Sequence, residues 1–310
     1  MYFPYFRGRQ YELLALKELA IGRLLSKSVV PVVEPIKLTS TLDGTLRAFA
    51  DVERKIAFIL NPAVGDYAGV ENFVEVFLAR VNSISSFDPA LLMSKNTEEV
   101  LQSIIAKGIA QSNITVILDK RDYLDMYKKH FTETTPQYTL FPDERQIRRT
   151  ITQGKVMFED KFIKQEKNAD YEALSDEFFS EDHLYFNTDG YTGFGDYSVV
   201  GNIFDEGGFA PKAVAIHIVY FDKENILRIR HFVSDSNMDI KDVAGKYYEA
   251  VSKLANWYDD GHQTQTTSAL STFINHYKNG YFPGLPTIKK LSIMHHLELM
   301  SKYLDGGIAK

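Results

Sequence analysis

Over its first 160 residues the chain alternates between short β-branched or aromatic runs and longer stretches with one apolar face. That alternation restricts the fold more than any other feature. Strand-like runs occur at Tyr2–Phe6, Val29–Ile36, Ile56–Leu60, Ala90–Met93, Ile114–Leu118, Tyr138–Phe141 and Lys155–Phe158. Helical periodicity fills the gaps, as in Tyr11–Leu25, Leu42–Val52, Val70–Val81 and the stretch opened by Thr97. A strand–helix–strand series of this length predicts a parallel sheet with helical crossovers. Such a series either closes as a barrel or opens as a doubly wound sheet. No Gly-x-Gly-x-x-Gly or Walker loop is present, so the nucleotide-binding open sheets lose their main signature. The expectation is therefore an α/β fold, a closed or nearly closed (β/α) TIM-like barrel. Val214–Phe221 is the expected eighth strand, and Ile226–Val233 pairs with it as a C-terminal β-hairpin across Asp222–Asn225. This barrel-like domain spans residues 1–235, with a helical extension over 236–310 packed on it.

The chain's 310 residues suit one large domain or two ordinary ones. It contains no cysteine, which excludes disulfides, thiolate metal sites and a cysteine nucleophile. The opening residues lack the basic-then-apolar pattern of a signal peptide, and no apolar run approaches the ~20 residues of a membrane span. A cytoplasmic protein with no membrane association is expected. A net charge of -6 argues against a broad nucleic-acid surface, although Arg145, Arg148 and Arg149 fall at helical spacing. The 18 tyrosines and 21 phenylalanines serve a core, and the tyrosines also favour a protein interface.

Polar residues sit where strands end, the place where (β/α) barrels carry their chemistry. Arg7 follows the first strand, Glu34 and Lys37 the second, Asn61 the third and Lys95 the fourth. Asp119 and Lys120 follow the fifth, Asp143 the sixth, and Glu159 with Asp160 the seventh. On the functional reading, Glu34, Asp119 and Asp196 are catalytic, and Glu159 and Asp160 help to hold Mg²⁺ or Mn²⁺ through oxygen ligands. Arg7, Lys37, Asn61, Lys95, Lys120, Gly195 and His217 then bind a small phosphate-containing ligand. The alternative is structural, because Asp, Asn and Pro also end strands by turning the chain and capping the next helix. His217 and His231 lie in apolar strands, the usual setting of a hydrogen-bonded core histidine. His295 and His296 are helix neighbours about 100° apart, so one at most is expected to face inward. His296 is the weaker metal candidate.

Residues 191–235 hold two glycine-rich loops, one around Gly193, Gly195 and Asp196, the other around Gly207, Gly208 and Pro211. Each would let backbone approach a ligand or turn sharply. Together with MYFPYFRGRQYELLAL, VVPVVEPI, the FGDYS loop, the AIHIVYF…IRHFVSD pair and LSIMHHLELM, this block resembles the beta-protein family of phages and bacteria. The likeness is to its bacterial branch, encoded beside a small partner gene. The resemblance covers nearly the full length. It implies a barrel fold, a bacterial or phage setting, a protein partner encoded nearby and a role in phage–host conflict. It names no reaction. Two functions follow as expectations: a barrel protein acting through that partner, or a metal-dependent hydrolase of a phosphodiester or nucleotide.

Overall fold

A computed structural model describes residues 1–81, 87–205 and 211–307. Gly207 and Gly208 of the second glycine-rich loop lie outside these residues. Eight parallel strands close a barrel. They are β1 (Tyr2–Phe6), β2 (Val32–Val33), β3 (Ala57–Ile59), β4 (Asp88–Leu92), β5 (Thr115–Ile117), β6 (Tyr138–Phe141), β7 (Lys155–Phe158) and, after β8 (Asp176–Ser180) has joined a different sheet, β9 (Gly193–Asp196). Between them lie α1 (Gln10–Ile21), α2 (Ser40–Asp51), α3 (Phe73–Val81), α4 (Thr97–Ala106), α5 (Leu124–Phe131), α6 (Arg145–Thr150) and α7 (Asp182–Tyr185). The start of α2 shows why the chain turns helical there. Thr39 Oγ1 accepts the Leu42 amide at 3.3 Å, and Leu42, Leu46 and Phe49 then bury one face.

Pro31 limits β2 to two residues, because proline supplies no amide to the ladder. Pairing continues around it. Val30 N–H donates to Tyr2 O at 2.9 Å, and Ala57 N–H donates to Pro31 O at 2.8 Å.

The barrel interior is packed with side chains. Phe3, Tyr5, Val32, Ile59, Leu92, Ile117, Leu140, Val156 and Phe158 fill it, beside the small Ala57 and Ala90. Burying each of the large ones contributes about 1.5–3 kcal/mol. The eighth strand corrects the sequence reading. It is Gly193–Asp196, within what read as a loop, while Val214–Phe221 lies outside the barrel. Gly193 and Gly195 point inward. A Cβ at Gly193 would lie 2.6 Å from Met1 O, and one at Gly195 would collide with Phe3 O and come 3.1 Å from the Phe158 ring. The glycines make room for β1 and its aromatic neighbours, not for a ligand.

The strands β10 (Ala215–Phe221) and β11 (Leu227–Val233) form the expected antiparallel hairpin, with His217 opposite His231. Asp222 Oδ1 accepts the Glu224 and Ile226 amides and shapes its turn. β11 also pairs with β8, giving a three-stranded sheet in the order β10-β11-β8. The C-terminal helices are α8 (Val243–Trp257), α9 (Ser268–Asn279) and α10 (Leu285–Leu304). From Leu291 to Ser301 every residue of α10 is buried, so this helix is internal on all sides.

Contacts divide the chain into two compact units. The first holds Met1–Arg23, Lys27–Asp160 and Asp182–Tyr197; the second holds Leu24–Ser26, Lys161–Glu181 and the chain from Ser198 onward. The hairpin thus groups with the C-terminal helices, whereas the sequence reading placed the boundary at 235.

Candidate functional sites

At the ends of the barrel strands, Glu34 is fully buried. Its Oε2 accepts the Tyr5 hydroxyl at 2.6 Å and pairs with the Arg7 guanidinium, and its Oε1 accepts the Ala63 amide at 2.6 Å. Arg7 also lies over the Tyr5 ring at 5.1 Å and the Tyr197 ring at 5.9 Å. Burial, opposed by Arg7 and reinforced by Asp119, Asp160 and Glu34, holds the Tyr197 phenol above its ordinary value. Asp119 is open to solvent, yet crowding by protein pushes its carboxyl up; Lys120, its own backbone bond and Arg7 oppose this and Glu34 adds to it. Arg7, Glu34, Asp119 and Asp160 therefore share one electrostatic neighbourhood with Tyr5 and Tyr197. In it burial holds the Tyr5 and Tyr197 phenols protonated at neutral pH.

Asn61, Lys37 and Glu159 are engaged in bonds of their own. Asn61 Nδ2 donates to Leu92 O at 2.7 Å and its Oδ1 accepts the Leu92 amide at 2.8 Å, so its side chain extends the β3–β4 ladder. Lys37 pairs with Asp66 across 3.8 Å at the surface, and Lys95 and Lys120 are exposed. Glu159 Oε1 accepts the Asp143 amide at 3.3 Å, and Asp143 binds Arg148 at 3.0 Å. Asp196 does not reach the barrel mouth. It follows Phe194 on the outward side of β9, and its Oδ1 accepts the Tyr2 hydroxyl at 2.8 Å. Gly195 faces packed aromatics, and His217 is not a barrel residue.

His295 and His296 are both buried, against the expectation that only one would be, because α10 has no solvent face here. His296 Nδ1 meets Ser198 Oγ at 2.9 Å and its ring stands edge-on to Phe179. It is a hydrogen-bonded core residue. Among the described residues, no group of three or more His, Asp or Glu side chains is placed to hold a metal ion.

The second unit holds a cluster whose members the sequence offered separately, His217 as a ligand-binding candidate or core histidine and His231 as a core histidine. His217 Nδ1 and His231 Nδ1 are 2.7 Å apart, and His231 Nε2 lies 2.9 Å from Glu177 Oε2. The string crosses three adjacent strands, β10, β11 and β8. His217 lines a cavity of about 280 Å³ with Phe162, Lys164, Tyr171, Lys289 and Ser292. Burial, with His231 and Lys289 adding to it, depresses the His217 imidazole well below its ordinary value. The signal was in the sequence. A hairpin turning at Asp222–Ile226 sets His217 against His231, but Glu177 sits in a polar stretch with no strand pattern.

No family model matches the chain, and no curated protein matches it either. Among the described residues, no helix is long and apolar enough to cross a membrane.

Proposed function

We propose that this chain acts as one half of a two-protein system and binds its protein partner through an exposed apolar surface of the second unit. The observation that carries this reading is a set of solvent-facing side chains just before α8, on α8 and just after α9. Met238 is 90% exposed, Ile240 54%, Tyr248 47% and Tyr281 58%. Lys246 Nζ holds Asp239 between Met238 and Ile240, Tyr248 stacks on Tyr277 at 5.6 Å, and Tyr281 packs on His276 at 5.1 Å. Methionine and tyrosine are residue types that interfaces favour, and grouped exposed apolar side chains mark interaction sites. In the bacterial or phage setting that the resemblance implies, the partner is the product of the small neighbouring gene and the role lies in phage–host conflict.

The hydrolase reading has less support. Mg²⁺ or Mn²⁺ needs several oxygen ligands converging on one point. Glu34 is already held by Tyr5, Arg7 and the Ala63 amide, and Asp196 is bonded to Tyr2.

Co-expression with the neighbouring gene product tests the proposal. The two proteins should co-purify, and Met238→Glu or Tyr248→Glu should weaken the complex by about 2 kcal/mol, some 30-fold in Kd. A chain that purifies alone beside the soluble neighbouring product, or a complex indifferent to both substitutions, would overturn it.

A further inference from the structure

We propose that Glu177, His231 and His217 form a proton relay that makes Nε2 of His217 a general base toward a small phosphate-bearing ligand in the cavity of the second unit. This goes beyond the partner surface and does not depend on it.

Donor counting fixes the direction of the relay. A carboxylate only accepts, so Glu177 requires His231 Nε2 to donate across 2.9 Å. Neutral His231 then has only a lone pair at Nδ1. His217 Nδ1 must donate to it across 2.7 Å, which leaves the lone pair of His217 on Nε2. His217 is part of the cavity wall, so Nε2 is the nitrogen it can offer to a ligand there.

The geometry is braced. Facing positions of β10 and β11 set the two histidines opposite one another, and β11 pairs with the β8 segment that carries Glu177. The Tyr171 ring packs against both imidazoles, at 4.6 and 4.7 Å, and Phe162 stands edge-on to His217 at 5.1 Å. A carboxylate that orients a histidine, which in turn orients a second histidine, repeats the logic of an activated base. Burial keeps both imidazoles neutral at pH 7, as a base requires.

The wall around His217 indicates the ligand's charge. Lys289 on α10 lies close enough to oppose protonation of His217, and Lys164 and the Ser292 hydroxyl share the wall. Glu166 is the acidic residue in that lining. Two ammonium groups and a hydroxyl suit a phosphate group, and 280 Å³ lies just below the ~300–1,000 Å³ of ordinary ligand pockets, so the ligand is small. In the step inferred, His217 Nε2 takes the proton of an O–H group, either water or a ligand hydroxyl. The electron pair stays on that oxygen. The Nδ1 proton shifts toward His231, whose cationic form Glu177 stabilises. The charged and titratable groups facing the relay are Glu177 and Asp176 from β8, Lys289 from α10, Lys164, Glu166 and Tyr171 from the segment between β7 and β8, and Glu172, Arg230 and Lys253, which line a smaller pocket with His231.

The test uses the full chain and diethyl pyrocarbonate, which acylates neutral imidazole nitrogen, with modified peptides mapped by mass spectrometry. His217 should react, and inorganic phosphate should slow the reaction more than chloride at equal ionic strength. Lys289→Ala should remove the phosphate protection. Glu177→Gln should lower His217 reactivity about tenfold and shift its pH profile, while His130 on α5 is unaffected. Nitrogen-15 NMR of the unsubstituted chain should show His217 protonated at Nδ1, a readout that stands even if Glu177→Gln or His231→Gln fails to fold. An inert His217 in the folded chain, protection equal in chloride, or an Nε2-protonated His217 would each overturn the proposal.

Discussion

The Tyr2 hydroxyl donates to Asp196 Oδ1 at 2.8 Å, joining the first and last strands of the barrel across 194 residues of sequence. Both residues are buried on the outer side of the wall, and the Tyr2 ring stacks on Phe194 at 5.1 Å. Burial, with the Asp196 charge adding to it, raises the Tyr2 phenol well above its ordinary value, so it is a permanent donor at neutral pH. Tyr2→Phe should therefore destabilise the fold by about 1–3 kcal/mol, because a buried carboxylate loses a donor. Asp196→Asn, which keeps an acceptor, should cost less. Urea unfolding checks this through a lower midpoint with an unchanged slope.

Gly195→Ala should be more damaging than its single added carbon suggests. The new Cβ would meet the Phe3 backbone oxygen, which cannot move without breaking the β1–β9 ladder. A loss of about 1–3 kcal/mol is expected. Shortening Phe158 in the same chain should not restore stability, since the backbone clash remains. Thermal melts of the single and double variants separate these outcomes.

Seven barrel strands were legible because their apolar runs are bounded by Asp, Asn or Pro and separated by helical periodicity. The eighth was not, because Gly193-Phe194-Gly195-Asp196 has the composition of a turn and only the close approach of the Met1 and Phe3 backbone oxygens, with the Phe3 and Phe158 rings beside them, explains it. Val214–Phe221 has far stronger strand character and drew the assignment, but its partner is the strand next to it in sequence. β8 was hidden for a similar reason, since Asp176 and Glu177 open it and Phe178 is 52% exposed. Without β8, Glu177 could not be placed beside the histidines. Of the strand-end candidates, Arg7, Glu34 and Asp119 meet because the topology forces every strand end to one rim. Asp196 does not, because alternation along β9 turns it outward.

Arg7 and Glu34 should behave as a unit. Glu34 is fully buried and Arg7 is 16% exposed. Arg7→Met alone leaves a buried carboxylate without its counter-charge and should cost about 3–5 kcal/mol. Glu34→Gln alone removes the counter-charge of a guanidinium that lies against the Tyr5 and Tyr197 rings and should also be costly. The double variant Arg7→Met, Glu34→Gln should be more stable than the sum of the two losses predicts. A double-mutant cycle in urea measures that coupling, and additive losses would show that the pair acts independently.

His295 gives the molecule a defined acid sensitivity. Its Nε2 donates to Val219 O at 2.7 Å, and the Thr267 hydroxyl meets its Nδ1 at 2.8 Å. Burial, opposed by the Val219 bond and Glu298, lowers its imidazole from 6.5 to about 4. Between these values the unfolded chain binds more protons than the folded one. Stability therefore rises with pH across that window, is complete above about pH 6.5, and is lost as pH falls toward 4. The contribution of this residue is about 3 kcal/mol between pH 7.5 and pH 4. Unfolding free energies at several pH values should show that slope. His217, His231 and His276 are also depressed by burial and add to it in the same direction. His295→Asn should lower stability at pH 7.5 yet flatten the slope by about the same 3 kcal/mol. A variant whose pH dependence stayed as steep as that of the parent chain would mean that another buried group controls the acid response.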